Sequence, residues 1–283
     1  MAGDTNTART TYPMEFSNAE IERLKTQHEW LKLAMHRIVH CPFDFTNQKA
    51  EVLDSATADG TWLLDLRRAL PSEVQMVGFD IASELFPEPS LLPDNLQLVE
   101  ASLLDTLPAD WTERFDLVNQ RLVASQFLER DLEKATRALA ECVKPGGWIQ
   151  FLEGDVATVI ADSRAQSYRY VHEILQRFLK DANCLPKVAG HLKSLGFENI
   201  ELKEWDIPIG KSHENLEIGM RGRKAIMNIV DFHKKAYGAA HLGLQDKVYD
   251  EVVRNIPKDM DEMFTGLKFI TVVGQKVSTG TQT

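Results

Sequence analysis

Residues 52–66 read VLDSATADGTWLLDL. A short apolar run, Val52 and Leu53, meets an acid, Asp54; small residues follow; and from Trp62 to Leu66 apolar side chains return at helical spacing. The pattern is strand, loop, helix, the first turn of a sheet that binds ligands at the carboxyl ends of its strands. A loop that cradles a pyrophosphate carries the glycines of GxGxxG, and these are absent here: Gly60 is the one glycine in the stretch. An acid directly after the strand suits a positively charged ligand group better than a pyrophosphate. That points away from a nicotinamide dinucleotide.

Outward from this turn, short apolar runs alternate with helical segments. The runs span 50–53, 75–79, 96–99, 115–119 and 148–152, and helices are expected over 60–69, 81–85 and 128–143. Alternation at this spacing predicts a parallel sheet with helices on both faces, and right-handed crossovers make it doubly wound. Past residue 155 the pattern turns mainly helical, with helices expected over 162–179 and 185–195, the second stopped by Gly196. Two more strands are expected over 199–207 and 268–275. The roughly sixty residues between them, with helical runs over 215–237 and 245–255, exceed any hairpin turn. The expected fold is α/β: a doubly wound, mostly parallel, Rossmann-like seven-stranded sheet with an N-terminal helical segment and a helical cover inserted before the last strand. The expected organisation is a helical lid over 1–47, a cofactor-binding core over 48–155, and, over 156–283, the remainder of the same domain with its substrate cover.

The chain has 283 residues, 43% of them hydrophobic, enough to bury a full core. No segment approaches the ~20 apolar residues of a membrane span, and no basic patch precedes an apolar stretch at the amino terminus. Cys41, Cys142 and Cys184 are an odd, widely spaced set without a CxxC pair. They point to neither a disulfide framework nor a zinc site, so a reducing, cytoplasmic setting and no metal are expected. With 32 basic against 42 acidic residues the formal charge is −10, and no Lys/Arg run interleaves with aromatics. Nucleic acid is therefore not an expected partner. The segments MAGDTNTART and VSTGTQT have the small, polar composition of frayed ends.

A helix is readable over 18–40, with Ser17 or Asn18 as cap, Glu20 and Glu22 in the first turn, and Pro42 closing it. Its apolar face, Ile21, Leu24, His28, Leu31, Met35 and Ile38, holds a histidine at its centre. His28 reads either as a core histidine satisfied by one hydrogen bond or as a group at a ligand pocket. Chemistry is sought in the loops SATADG, DIAS, ASLLD, NQRLVA and EGD. Gly60 opens a helix, where free N–H groups and the helix dipole attract negative charge. Asp80 closes the second strand about twenty residues further on, the place of an acid that accepts both hydroxyls of a ribose; an ordinary surface acid is the alternative. Ser102 and Leu103 follow the third strand, and with Ile81 as the other wall they can flank an adenine. Asn119, Gln120 and Arg121 are polar residues directly after the fourth strand, and KPGGW at 144–148 reads as a tight structural turn.

Together these pieces resemble a class I S-adenosylmethionine-dependent methyltransferase. Tyr12-Pro13, EIERLKTQH (20–28), VLDSATADGTW, VGFDIA, FDLVNQRLV, VKPGGW and WDIPIGK look like segments of the LaeA-like fungal methyltransferases associated with secondary metabolism, scattered over most of residues 12–211. The resemblance implies S-adenosylmethionine as cofactor and a small-molecule secondary metabolite, polyketide, alkaloid or peptide-derived, as acceptor of a methyl group on oxygen or nitrogen. In that family the first loop reads DxGxGxG, so Asp54 and Gly60 match while Ala56 and Ala58 replace glycines. Asp80 matches the ribose-binding acid. Ser102 stands where the family usually has an aspartate accepting from the adenine amino group. Gln120 and Arg121 fall in the polar segment beside the methionine end. The expected cofactor contacts are thus Asp54, Ala56, Gly60, Asp80, Ile81, Ser102, Leu103, Gln120 and Arg121. Alanine for glycine costs little at negative φ and ~1 kcal/mol or more at positive φ.

Where the acceptor needs a base, His28 and His172 are the candidates, although His172 borders an apolar helix face of Tyr168, Val171, Leu175 and Phe178, where packing competes as its role. His213 and His233, in the expected cover, are further candidates. The altered loop leaves two other readings open: a methyltransferase-fold protein that rearranges, cyclises or isomerises a metabolite, and a LaeA-like regulatory or interaction protein.

Overall fold

A computed structural model describes residues 18–278; the Ser17 cap, the Tyr12-Pro13 motif, the polar segment 1–10 and residues 279–283 of the polar segment 277–283 lie outside the described residues. Seven strands, β1 (Glu51–Ser55), β2 (Gln75–Asp80), β3 (Leu96–Glu100), β4 (Phe115–Arg121), β5 (Val143–Ala161), β6 (Phe197–Pro208) and β7 (Thr265–Lys276), form one sheet in the order β3-β2-β1-β4-β5-β7-β6. Strands β1 to β5 pair in parallel, and β7 lies antiparallel between β5 and β6. The alternation of apolar runs and helices has built the α/β, doubly wound, mostly parallel sheet that it predicts.

Both faces of the sheet are covered, which is why its central strands read as continuous apolar runs. On one face Trp62, Leu63 and Leu66 of α2 (Thr61–Leu66) pack on Val52, Met76 and Leu117. On the other, Leu132, Ala135 and Leu139 of α3 (Glu129–Cys142) and Leu192 of α5 (Leu185–Ser194) pack on Leu53, Val77, Val118 and Ile149. A third cluster joins α1 (Asn18–Met35), α4 (Arg169–Phe178), α6 (Leu216–Ala236) and α7 (Asp246–Glu262) to Leu152, Ile207, Leu267 and Phe269. Trp30 is its centrepiece, edge-on to Phe269 at 5.6 Å. The α1–α6 contact depends on Gly222, where a Cβ would meet Trp30 Nε1 at 2.6 Å.

Several elements differ from their expected extents, α1 and β5 through tertiary pairing. Helix α1 stops at Met35 rather than residue 40, because His36 turns left-handed (φ 58) and the Ile38 carbonyl is taken by Gln150 Nε2 at 2.9 Å and Trp62 Nε1 at 3.3 Å. Strand β5 runs far beyond 148–152, because β7 pairs with it from Trp148↔Gln275 to Ala161↔Thr265. KPGGW consequently lies inside β5, where the ladder to β4 shifts register between Phe115 and Leu117. The helix expected over 162–179 shortens to α4, preceded by a turn in which Asp162 accepts from the backbone N–H of Arg164 at 2.9 Å. The segment 81–85 forms only the 3-10 turn Ser83–Leu85. Among the described residues, no helix is long and apolar enough to cross a membrane.

Candidate active site

The carboxyl ends of β1, β2 and β4 and the loop after β3 open on a cleft of about 290 Å³, walled on the far side by α1, α4 and α6. Its floor is the loop after β1. Three alternating residues there are left-handed: Ala56 (φ 53), Ala58 (φ 51) and Gly60 (φ 76). This region costs a residue with a Cβ ~1–2 kcal/mol, so the two alanines hold a conformation natural to glycine. Neighbouring bonds impose it: Thr57 N donates to Phe79 O at 3.0 Å, Gly60 N to Thr57 O at 3.0 Å, and Ala58 N to Asp80 Oδ2 at 2.8 Å.

Asp54 lies within β1 rather than beyond it, in register with Gly78 and Asn119. Its Oδ1 accepts from Asn119 Nδ2 at 2.6 Å and its Oδ2 from Thr57 Oγ1 at 2.7 Å. Asn119 Oδ1 in turn accepts from Gln150 Nε2 at 2.6 Å, and Gln150 Oε1 accepts from His40 N at 2.8 Å. Burial pushes the Asp54 carboxyl up to about 6, with the Arg121 charge and its two hydrogen bonds opposing. This row of side chains crosses three adjacent strands and ties the segment after α1 to the floor of the cleft.

Asp80 receives the loop from the other side. Its Oδ2 accepts from Ala58 N and its Oδ1 from Ala82 N at 3.0 Å, while burial raises its carboxyl above the ordinary range. Ile81, Ser102 and Leu103 line the same end; Ser102 Oγ accepts from Leu104 N at 3.1 Å.

At the opposite end Arg121 Nη2 lies 3.2 Å from His28 Nδ1. Arginine only donates, so Nδ1 is the acceptor and His28 carries its proton on Nε2, which donates to Asp65 Oδ2 at 3.0 Å. Lys32 Nζ reaches the Asp65 carboxylate at 2.8 Å. Burial first, then the Arg121 charge, lowers the His28 pKa to about 4. Around this polar group the walls are apolar: Leu31, Leu175, Phe178 and Ile229.

Comparison with known proteins places this geometry. A family model described as a methyltransferase domain matches residues 26–201, more than half of the chain. The chain is 36% identical over 273 residues to the N-methyltransferase verN of Clonostachys rogersoniana, covering 96% of this chain and 95% of that one. It is 28% identical to the N-methyltransferase sirN of Leptosphaeria maculans, covering 94% and 95%, and 28% identical to the N-methyltransferase gliN of Aspergillus fumigatus, covering 94% and 96%. The chain belongs to the methyltransferase family. It is an S-adenosylmethionine-dependent enzyme. The YcgJ protein of Bacillus subtilis has the same fold at 15% identity and a TM-score of 0.50, covering 90% of this chain and 99% of that one. A phosphoethanolamine N-methyltransferase 2 of Haemonchus contortus, in complex with S-adenosylhomocysteine, also has it at 14% identity and a TM-score of 0.50, covering 89% and 53%.

In this methyltransferase the cleft brings together Asp54, Ala56, Asp80, Ile81, Ser102, Leu103, Arg121 and His28. Gly60 shapes the loop as the left-handed cap of α2 without lining the cleft. Gln120 is not among the lining residues: strand alternation turns it to the other face of β4, where it is buried with Nε2 unpartnered. His172 also lies elsewhere, buried edge-on to Tyr168 at 5.8 Å, its Nδ1 3.4 Å from Val156 O. His213 Nδ1 accepts from Asn215 N at 3.0 Å, and His233 sits between Tyr249 Oη at 2.7 Å and His241 Nδ1 at 3.0 Å; neither lines the cleft.

Sequence reasoning misses Asp65 and the role of Glu153. Glu153, in the flagged EGD segment, is buried, and its Oε1 accepts from Ala124 N at 2.7 Å. It thereby holds the turn after β4 that carries Leu122, Val123 and Gln126 into the cleft. Burial pushes its carboxyl up to about 7, against the backbone N–H groups it accepts from. No spacing rule links an acid on β5 to a turn 29 residues earlier.

Proposed function

We propose that this methyltransferase acts on a nitrogen of a small, largely apolar molecule enclosed between α1, α4 and α6. The observation that carries the proposal is the cleft itself: carboxylate and left-handed loop at one end, and the half-buried Arg121 guanidinium beside aliphatic and aromatic walls at the other. The three N-methyltransferase relatives, aligned over nearly their whole lengths, support nitrogen. The concave cleft, walled by three helices, supports a small acceptor rather than a protein one, and the segments that resemble the LaeA-like group support a secondary metabolite. We take residues 1–47 as lid, 48–155 as cofactor core and 156–283 as the part bearing the acceptor cover. Three free, buried cysteines support a cytoplasmic setting.

The residues present fit the cofactor. Asp80 presents carboxylate oxygens where ribose hydroxyls would bind, Ile81 and Leu103 would flank the adenine, and Ser102 Oγ would accept from its amino group. The loop at Ala56 and Ala58 would pass beneath it, and Asp54 would hold that loop in place. When bound, S-adenosylmethionine supplies a methyl group on a sulfonium, open to in-line displacement by a nucleophile. The chain contributes alignment and exclusion of water. Leu31, Leu175, Phe178 and Ile229 would orient the acceptor. The one lone pair of neutral His28 is committed to Arg121, so we assign His28 to positioning rather than proton abstraction; His172, His213 and His233 we assign to packing.

The test is incubation with S-adenosylmethionine carrying a 13C methyl group and a fungal metabolite extract, followed by carbon–proton NMR of the products. An N-13CH3 signal is expected. A label on oxygen or carbon contradicts the nitrogen assignment, and a changed skeleton without label contradicts methyl transfer.

A further inference from the structure

We propose that Arg121 sets acceptor specificity: its guanidinium, held in place by His28 and Asp65, donates to a carbonyl or carboxylate oxygen of the acceptor and so fixes where the reacting nitrogen lies. The inference rests on the methyl-transfer reading and adds to it a chemical requirement on the substrate.

A guanidinium has five N–H donors, and Arg121 spends one, on His28 Nδ1. Among the described residues no carboxylate lies within 4.0 Å of it, although the charges of Asp54, Asp65 and Asp59 reach it through space. A half-buried cation beside apolar walls is unfavourable unless its donors find acceptors, and a ligand oxygen supplies them. Its planar fork suits a carboxylate or a carbonyl better than a compact ammonium would.

The position argues for the acceptor as the source of that oxygen. Leu122, the next residue, packs into the same apolar cluster as Leu175 and Phe178. His28 comes from α1, the wall that also supplies Leu24 and Leu31. The Asp65–His28 bond fixes the tautomer whose lone pair faces Arg121, so His28 is a positioning residue acting through the arginine. The other source of a carboxylate is the cofactor's own methionine end, and the experiment separates the two.

Benzoate, an apolar ring with a carboxylate, is titrated calorimetrically into the full-length protein saturated with S-adenosylhomocysteine. We expect binding to the wild type, weakened about 10- to 100-fold by Arg121→Met, with affinity for S-adenosylhomocysteine unchanged within about threefold. His28→Asn, whose side-chain oxygen replaces the Nδ1 acceptor, should retain benzoate better than His28→Ala; equal loss in both overturns the positioning role. Thermal melts confirm that each variant is folded. Equal benzoate affinity in wild type and Arg121→Met overturns the proposal, as does no benzoate binding to the wild-type complex. Benzoate binding to the cofactor-free wild type that is lost in the S-adenosylhomocysteine complex also overturns it, by assigning Arg121 to the cofactor carboxylate. A wild type that binds no S-adenosylhomocysteine instead overturns the methyl-transfer reading on which the proposal rests.

Discussion

Arg121 Nη2 and His28 Nδ1, 93 residues apart in the chain, meet at 3.2 Å, and the bond fixes His28 as a neutral imidazole with its proton on Nε2. Burial and the arginine lower its pKa from 6.5 to about 4. The unfolded chain therefore binds more protons than the folded one between these values. The stabilising contribution of neutral His28 is full above pH 6.5 and is lost as the pH falls toward 4. Melting temperatures of wild type and His28→Asn should converge over that window and keep a constant separation above it. A separation that does not change with pH contradicts the neutral assignment.

Glu153 behaves in the opposite sense. Its carboxyl is raised from 4.5 to about 7 by burial, so its contribution is full below pH 4.5 and declines as the pH rises through 7. Wild type should lose stability relative to Glu153→Gln by about 3–6 °C in melting temperature between pH 4.5 and 8. The comparison is read by thermal melts at matched ionic strength.

The left-handed alanines make a prediction of sign. Ala56→Gly and Ala58→Gly remove a Cβ from φ near +50°, relief that outweighs the added freedom of the unfolded chain by roughly 0.5–1 kcal/mol each. Gly60→Ala adds a Cβ at φ 76 and 3.3 Å from Leu98 Cδ1, a loss of ~1 kcal/mol or more. Urea unfolding of the three variants should give gains at 56 and 58 and a loss at 60.

Gly222→Ala tests the acceptor wall. The new Cβ would meet Trp30 Nε1 at 2.6 Å and force α1 away from α6, at a cost of about 1–3 kcal/mol. Because these helices carry Leu31 and Ile229, acceptor KM should rise more than cofactor KM. Steady-state kinetics with each substrate varied in turn separates the two.

How far the sequence reveals this molecule depends on the range of the interactions. The strands that carry the cleft are legible because Val52, Leu53, Val77 and Val118 are buried from both faces, and that burial dictates continuous apolar runs. Asp80 is legible as a strand-end acid at a fixed distance from Gly60. The left-handed state of Ala56 and Ala58 is not, since alanine rarely adopts it and two of the bonds that impose it go to Phe79 O and Asp80, more than twenty residues away. The end of α1 is hidden for the same reason: Gln150 and Trp62 claim the Ile38 carbonyl across the fold. The apolar stripe around His28 identifies the buried face of its helix but does not reveal Arg121 as its partner. Gln120 and Arg121 look alike in sequence, yet pleating sends only Arg121 to the cleft.

On the proposed reading, a loop with alanine at two glycine positions still holds S-adenosylmethionine against Asp80. Calorimetric titration of S-adenosylhomocysteine into the wild type and Asp80→Ala tests it most directly. One site per chain is expected in the wild type, with a dissociation constant on the order of micromolar, and a loss of at least about tenfold in folded Asp80→Ala. No saturable binding to the wild type, or binding indifferent to the loss of Asp80, would contradict it.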